Sequence, residues 1–173
     1  MKNSKVHVYT GDGKGKTTCA FGLAVRCAGE GFSVNIIQFL KTAESGEVFF
    51  INNYLKNIKV YRFEKAHGFT FELCESEKKS LMCDIKKAVE FAKELLDKCD
   101  LLVLDEIIGA YGCGFVSKED IKYIIENRGK TEIVLTGRDA PDWLLDAAHY
   151  VTNMQKIKHP FDDGCDARKG IEF

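Results

Sequence analysis

The 173-residue sequence predicts an α/β fold in which a mostly parallel sheet carries helices on both faces. Three observations lead to this fold class. Short apolar strands alternate with helical stretches, a glycine-rich loop joins the first strand to the first helix, and one apolar strand ends in two carboxylates. Strands separated by helices pair in parallel through right-handed crossovers. Ligands of such sheets bind at the carboxyl ends of the strands, where the chemically active side chains of this sequence lie.

The individual elements follow from apolar runs and from their spacing along the chain. Strands are predicted at 5–9, 34–40, 58–63, 101–104, 132–135 and 149–152. Helices are predicted at 17–29, at 76–99, from Ser117 onward, and at 141–148. Gly29 and Gly31 end the first helix, and apolar positions three and four apart define the second. Neither a repeat nor a linker interrupts the chain, so residues 1–173 are expected to form a single domain.

Composition and charge exclude several classes of function. The formal net charge is -1, from 25 basic and 26 acidic side chains, so the protein has no basic field for duplex nucleic acid. No apolar run is long enough to cross a bilayer, and the amino terminus has no signal-peptide stretch, so a cytoplasmic protein is expected. The 7 cysteines are odd in number and form no Cys-x-x-Cys pair. We interpret them as small apolar residues in a reducing compartment.

The loop at 10–18, TGDGKGKTT, is expected to bind phosphate. Its glycines let backbone N–H groups turn toward a ligand, and with the following helix N-terminus these groups form a nest for phosphate oxygens. Lys16 adds a charge, and the hydroxyl of Thr17 can reach Mg²⁺. The spacing between Gly11 and Gly15 is shorter than in the general motif, so the loop is a variant. The residues expected to contact ATP are Gly11, Asp12, Gly13, Lys14, Gly15, Lys16, Thr17 and Thr18.

A second element supports a metal–nucleotide site. The apolar run at 101–104 leads into Asp105 and Glu106, and in a P-loop fold this strand is expected beside the first one. A carboxylate at its end reaches Mg²⁺ directly or through water, together with Thr17. The alternative is an ordinary solvated strand end. Arg138, which follows another predicted strand, is expected to touch phosphate, although a surface arginine in a turn is the simpler explanation.

The histidines contribute less to the prediction. His7 lies within a predicted strand and His149 begins one, so both are interpreted as structural. His67 lies in a loop beside Gly68, where it could face a ligand. These features together predict a Mg-ATP site on a P-loop NTPase-like fold. They do not fix the reaction, because a kinase, a hydrolase and an alkyl transferase can share them.

The sequence resembles the ATP:corrinoid adenosyltransferases of bacterial cobalamin synthesis and salvage over nearly its whole length. The motifs that carry the resemblance are TGDGKGKTT with AFG at 20–22, QFLK at 38–41, GFTFE at 68–72, VLDE at 103–106, TGR at 136–138, KHPF at 158–161, Gly164, Ala167 and GIEF at 170–173. The carboxyl-terminal tail is the most specific of these. The family also uses the short glycine spacing. Its longer members carry a segment before the first strand, whereas this chain begins almost at the strand.

The resemblance implies transfer of the 5′-deoxyadenosyl group of ATP to the Co(I) of a corrinoid, with release of inorganic triphosphate. Lys16 would stabilise the leaving group, and Phe69 and Phe71 would exclude the lower axial ligand of cobalt, although the family has tryptophan in the place of Phe71. The implied corrinoid contacts are His67, Gly68, Phe69 and Phe71.

The resemblance further implies that Glu106 is the closer metal ligand, that a flavin or flavoprotein donates the electron, and that the protein is a homodimer. Two alternatives stay open. One is another P-loop nucleotide enzyme, a kinase or an NTPase. The other is a non-catalytic regulator that binds ATP or a corrinoid.

Overall fold

A computed structural model describes residues 3–41, 43–64 and 73–172. The strands are β1 (Val6–Thr10), β2 (Val34–Gln38), β3 (Ile58–Tyr61), β4 (Leu101–Asp105), β5 (Glu132–Thr136) and β6 (Tyr150–Asn153). The helices are α1 (Lys16–Gly29), α2 (Gly46–Tyr54), α3 (Glu75–Leu95), α4 (Ile107–Gly112), α5 (Lys118–Glu126) and α6 (Asp142–Ala147). A short 3-10 helix, Pro160–Asp163, lies in the tail.

The strands form one sheet in the order β3-β2-β4-β5-β1-β6, and every neighbouring pair is parallel. The predicted parallel α/β architecture is therefore confirmed. The expected position of β4 beside β1 is wrong, because β5 lies between them. Hydrophobic patterning could not reveal this order, since both β4 and β5 are apolar strands that suit the buried middle of a sheet.

The core consists of two layers, one on each face of the sheet. Alternate residues of β4 show the division, since Leu102 and Leu104 pack toward α3, α4 and α5, whereas Leu101 and Val103 pack toward α1 and α2. This alternation is the ordinary consequence of side chains pointing to opposite faces of a strand. The prediction of helices on both faces is confirmed. Helix α1 packs against β4 and β5, and Thr17 in its first turn donates to Asp105 at the end of β4.

Two helices were missing from the prediction. Helix α2 contains four consecutive apolar residues, 48–51, of which only Ile51 is buried, so it lacks the spacing that indicates a helix. Helix α4 follows β4 almost without a loop, because Glu106 takes a left-handed backbone conformation with φ 67° and turns the chain sharply. Strand β2 also ends earlier than predicted, since Leu40 has φ 57° and leaves the sheet.

The cysteines agree only in part with their interpretation as small apolar residues. None of the 7 cysteines, all of which lie in the described ranges, forms a disulfide, and Cys27 and Cys99 are buried in the core. The interpretation is wrong for the exposed thiols, which are Cys19, Cys74, Cys83, Cys113 and Cys165. Of the helices in the described ranges, none has the length and apolar character needed to span a membrane.

Candidate active site

A cleft of about 940 Å³ opens at the carboxyl ends of the strands. The phosphate loop forms one wall from Asp12 to Thr18, and the end of β2 with the start of α2 forms another. Arg138 and the tail residue Glu172 also line the cleft. The fold therefore gathers the predicted loop, Arg138 and the carboxyl-terminal tail around one space, which is where a parallel sheet binds ligands.

The phosphate loop is held in shape by its own lysine. Lys16 Nζ donates to the carbonyl oxygens of Gly11 at 2.5 Å and Gly13 at 2.9 Å. Gly15, with φ 120°, immediately precedes α1 and adopts a backbone conformation that side chains disfavour. Burial lowers the pKa of Lys16, an effect that the carboxylate of Glu106 opposes. Lys16 is thus a partly desolvated cation at the N-terminus of a 14-residue helix, a suitable place for phosphate.

Two of the loop glycines are required by close packing against the chain after β6. A Cβ on Gly11 would lie 2.1 Å from Asn153 Oδ1, and one on Gly13 would lie 2.5 Å from the carbonyl oxygen of Met154. The N–H of Gly13 donates to that same carbonyl oxygen at 2.6 Å. The expectation that the loop glycines turn their N–H groups toward a ligand is therefore wrong for Gly13.

Asp105 is the centre of a buried hydrogen-bond network beneath the cleft. Its Oδ1 accepts from the hydroxyls of Thr17 at 3.0 Å and Thr136 at 2.8 Å. Its Oδ2 accepts from Gln38 Nε2 at 3.0 Å and Lys41 Nζ at 2.8 Å. Because the carboxylate is fully buried and already accepts four donors, it orients Thr17 more readily than it binds a ligand directly.

Glu106 is the half-buried carboxylate that faces the cations of the cleft. Burial raises its pKa, while the neighbouring charges of Lys41, Lys16 and Arg138 act in the opposite direction. Its N–H donates to Thr136 Oγ1 at 2.9 Å, which fixes the turn into α4. The carboxylate of Asp105 accepts hydrogen bonds from four donors, whereas in the described part of the chain the carboxylate of Glu106 does not.

Arg138 projects from the end of β5 as an exposed side chain lining the cleft. It follows Gly137, where an added Cβ would lie 2.7 Å from the backbone N of Gly109 in α4. The turn therefore needs glycine so that β5 and α4 can pack closely, and this packing presents Arg138 to the cleft.

Sequence reasoning missed two cations of the site, Lys41 and Arg62. Lys41 contacts Thr17 as well as Asp105, with 2.7 Å between Nζ and Oγ1. Arg62 donates from Nε to Gln38 Oε1 at 2.8 Å and from Nη1 to the carbonyl oxygen of Ala43 at 2.7 Å. The motif QFLK at 38–41 was available as a signal for Lys41, whereas Arg62 has no flanking pattern that distinguishes it.

The carboxyl-terminal tail returns to the phosphate loop through one carboxylate. Glu172 accepts from Lys14 Nζ at 2.8 Å and from the backbone and guanidinium of Arg168. The hydrogen bonds from Arg168, followed by the one from Lys14, lower the pKa of Glu172 to about 2. Lys14, predicted from the sequence to contact phosphate, is thus paired with the tail.

Comparison with known proteins identifies the family to which these features belong. A family profile described as ATP:corrinoid adenosyltransferase BtuR/CobO/CobP matches residues 2–173. The chain belongs to the ATP:corrinoid adenosyltransferase family. It is 35% identical to the corrinoid adenosyltransferase of Pseudomonas aeruginosa, covering 96% of this chain and 82% of that protein. It is 34% identical to the corrinoid adenosyltransferase CobA of Salmonella typhimurium, with coverages of 96% and 84%.

A comparison of structures supports the fold of this ATP:corrinoid adenosyltransferase family member. A KaiC-like protein of Pyrococcus horikoshii superposes with a TM-score of 0.50, covering 90% of this chain and 74% of that one. The two sequences are 17% identical, so the likeness concerns the fold alone. The predicted family and the predicted P-loop NTPase-like fold class are both confirmed.

Two predicted parts of the adenosyltransferase site remain, the corrinoid contacts and the metal ligands. His67, Gly68, Phe69 and Phe71 lie outside the described residues. Among the described residues, no group of three or more histidine, cysteine or acidic side chains forms a metal cluster. Of the predicted Mg²⁺ ligands, Thr17 lines the cleft, Asp105 lies buried beneath it and accepts from Thr17, and Glu106 follows Asp105 in the chain. Lys41 places a positive charge between Thr17 and Asp105, so the oxygen set suits a cation.

Proposed function

We propose that this chain transfers the 5′-deoxyadenosyl group of ATP to the Co(I) of a corrinoid and releases inorganic triphosphate. Family membership over residues 2–173 carries the proposal, and the cleft built around the phosphate loop supports it. In the reaction, the cobalt electron pair forms a bond to the 5′ carbon of ATP. The bond between that carbon and its oxygen breaks, and its electron pair leaves with the triphosphate.

The main task of the protein side chains in this reaction is to stabilise the leaving triphosphate. Co(I) carries no proton on its nucleophilic electron pair, so no general base is needed. Lys16, the amides at the start of α1, and Arg138 are the proposed groups that face the charge developing on the leaving oxygen. Preorganised donors of this kind, in a cleft that excludes water, often supply the largest part of a rate enhancement.

We assign a Mg²⁺ site to Thr17 and Glu106, with Asp105 as the carboxylate that orients Thr17. Hydroxyl and carboxylate oxygens are the ligands Mg²⁺ prefers, and in P-loop proteins the Thr of the loop and an acidic strand end hold it. When bound there, Mg²⁺ would draw negative charge from the triphosphate. The buried donors from Thr136 and Gln38 keep Asp105 fixed, so the Thr17 hydroxyl is presented in one direction.

The corrinoid side of the proposal rests on the family resemblance of the loop that holds His67, Gly68, Phe69 and Phe71. The two phenyl rings would face cobalt and exclude its lower ligand, which makes Co(II) easier to reduce to Co(I). We further propose that a reduced flavin or flavoprotein supplies the electron and that the active form is a homodimer. We also propose a cytoplasmic location, as the sequence predicts.

A single-turnover experiment tests the proposed function against the other P-loop reactions. The protein is mixed anaerobically with ATP, Mg²⁺ and chemically reduced Co(I) cobalamin. The expected products are a light-sensitive cobalt–carbon species and stoichiometric triphosphate, detected by absorbance and phosphorus NMR. Release of ADP instead would assign a kinase or NTPase. Tight ATP binding without any turnover would assign a regulator.

A further inference from the structure

Lys41 stands between Thr17, a proposed ligand of the cation site, and Asp105, the carboxylate that orients Thr17. Its Nζ donates to Thr17 Oγ1 at 2.7 Å and to Asp105 Oδ2 at 2.8 Å. Asp105 is completely buried, whereas 31% of the Lys41 side chain is exposed to the cleft. A single ammonium group therefore occupies both oxygens, and it does so from the side that remains open to solvent.

The backbone around Lys41 is built to place it there. Strand β2 ends at Gln38, and the N–H of Phe39 donates to the carbonyl oxygen of Asp105 at 2.9 Å. Leu40 then adopts φ 57°, a conformation that is uncommon for a residue other than glycine. Its N–H donates to Glu64 Oε1 at 2.8 Å, which holds the turn in place. A backbone outlier maintained in this way is a reason to look for function in the residue that it positions.

Of the four donors to Asp105, Lys41 is the one best able to leave. Thr136 is fully buried in β5. Gln38 is 2% exposed, and Arg62 holds its side-chain oxygen. Thr17 is the group that must stay if it is to bind a cation. Lys41 alone among the four combines a long flexible side chain with access to the cleft, so it can release its two oxygens without disturbing the sheet.

Charge determines when that release is favourable. Lys41, Lys16 and Arg138 already lie near the carboxylate of Glu106, and Lys41 also pairs with Asp105. Adding a divalent cation to this cleft would require Lys41 to give up two short hydrogen bonds while remaining near the new charge. The arrival of a triphosphate reverses the balance, because its oxygens offer the displaced ammonium a new partner.

We infer that Lys41 and the divalent cation exclude one another at the Thr17 hydroxyl, which Asp105 orients, and that Lys41 transfers to the triphosphate when ATP binds. The nature of the anion in this inference rests on the proposed function. Lys41 is thus a positioning residue, which keeps Thr17 and Asp105 aligned in the empty cleft. It also makes tight cation binding depend on nucleotide.

The test uses Mn²⁺ alone as a probe, followed through loss of the free Mn²⁺ signal in electron paramagnetic resonance. Without nucleotide, Lys41→Met should bind Mn²⁺ about tenfold or more tightly than the wild type, as expected when one competing charged hydrogen bond is removed. Lys14→Met is the matched control. It removes a lysine from the same cleft that contacts neither Thr17 nor Asp105, and it should change Mn²⁺ affinity by less than about threefold.

Two further variants separate the inference from a change in net charge or in folding. Lys41→Arg keeps the positive charge and should show no gain in Mn²⁺ affinity. Lys41→Gln removes the charge and should show the same gain as Lys41→Met. It also keeps the test valid if Lys41→Met fails to fold. Thr17→Val combined with Lys41→Gln should abolish the gain. An affinity of Lys41→Gln equal to or weaker than that of the wild type would overturn the inference, as would an equal gain in Lys14→Met.

The second half of the inference is tested with ATP in the presence of EDTA. Lys41→Gln should bind ATP about tenfold more weakly than the wild type under these conditions, because the triphosphate loses its ammonium partner. An unchanged affinity would contradict the transfer of Lys41 to the nucleotide. Failure of the proposed function is distinguishable: the wild type would then form no cobalt–carbon bond, whatever the Mn²⁺ measurements gave. If that bond forms and Lys41→Gln gains no Mn²⁺ affinity, only the inference fails.

Discussion

The N–H of Gly13 donates a 2.6 Å hydrogen bond to the carbonyl oxygen of Met154, so the chain after β6 closes the phosphate loop from outside. The N–H of Met154 in turn donates to the carbonyl oxygen of Thr10 at 2.8 Å. The loop and the beginning of the tail are therefore hydrogen-bonded in both directions. A loop stabilised in this way is preorganised before any nucleotide arrives.

Gly13→Ala should destabilise the protein and weaken ATP binding. The added Cβ would lie 2.5 Å from the carbonyl oxygen of Met154 and 2.9 Å from that of Gln155, so backbone on one side must move. Overpacking of this kind typically costs about 1–3 kcal/mol. Urea unfolding gives the free energy of unfolding, and calorimetric titration gives the ATP affinity.

The control for this prediction is Gly112→Ala. Gly112 is exposed at the end of α4, and its added Cβ would meet nothing within 4 Å. It should therefore leave stability unchanged or slightly higher, since alanine favours a helix more than glycine does. Equal stability of the Gly13 and Gly112 variants would show that the loop does not depend on its contact with the tail.

Thr136→Val should destabilise the fold through the Asp105 network. The Thr136 hydroxyl donates to Asp105 Oδ1 at 2.8 Å and accepts from the Glu106 N–H at 2.9 Å, and valine provides neither contact. A buried polar group left without its partner costs about 1–3 kcal/mol. Thr152→Val, on the exposed edge strand β6, is the matched control and should stay within about 0.5 kcal/mol of the wild type. Denaturant unfolding of both variants decides the matter, and similar midpoints would contradict the assigned role.

These networks show how far the sequence could predict the site. The loop at 10–18 and the acidic end of β4 were recognisable because local glycine, lysine and carboxylate patterns directly reflect their chemistry. The motif QFLK pointed to Lys41, but its contact with Thr17 and Asp105 was not predictable, because it depends on the left-handed turn at Leu40 and on the register of β2 beside β4, which are properties of the assembled sheet. Strand order and tail docking likewise depend on contacts between residues far apart in the sequence.

Glu172 should titrate near pH 2 and stay ionised down to about pH 3. Arg168 and Lys14 hydrogen-bond its carboxylate and lower its pKa from 4.5 to about 2. A carboxyl group with a lowered folded-state pKa contributes stability above its unfolded pKa and loses that contribution as pH falls through the folded pKa. Tail docking should therefore persist on acidification from pH 7 to about 4, as carbon-detected NMR of the Glu172 carboxyl would record.

Variants of the two partners check the cause of this shift. Arg168→Gln removes two guanidinium hydrogen bonds to Glu172 and should raise the pKa of Glu172 more than Lys14→Gln, which removes one. A Glu172 pKa near 4.5 in the wild-type protein would mean that the tail is not docked in solution.

Glu106→Gln should raise the Mg²⁺ concentration required for half-maximal activity. The substitution keeps the size of the side chain but removes the charge from the carboxylate that we assign to the metal. Asp142→Gln, at the exposed start of α6, is a control acidic position outside the cleft and should leave the titration unchanged. A Mg²⁺ titration of Glu106→Gln that superimposes on that of the wild type would remove Glu106 from the proposed ligand set.

Phe69 and Phe71 lie outside the described residues, so their prediction rests on sequence resemblance. Two neighbouring aromatic residues in a loop often form a small core that only fixes the loop. The functional alternative is that both rings face the corrinoid and exclude water and the lower ligand from cobalt. An apolar surrounding of this kind controls solvent access and the reduction potential of a metal. Loss of an axial donor makes Co(II) easier to reduce, because the added electron enters an orbital that the donor no longer raises.

Comparison of two substrates separates these roles. Phe69→Ala should strongly impair adenosylation that starts from Co(II) with a weak reductant, because cobalt would keep its lower ligand. It should impair the reaction far less when Co(I) is prepared chemically, since ATP binding and alkyl transfer do not involve the ring. Phe71→Trp, which restores the family residue and a larger apolar area, should be tolerated on both routes. Equal losses of Phe69→Ala with both substrates, accompanied by a lower melting temperature, would mean that the rings only hold the loop.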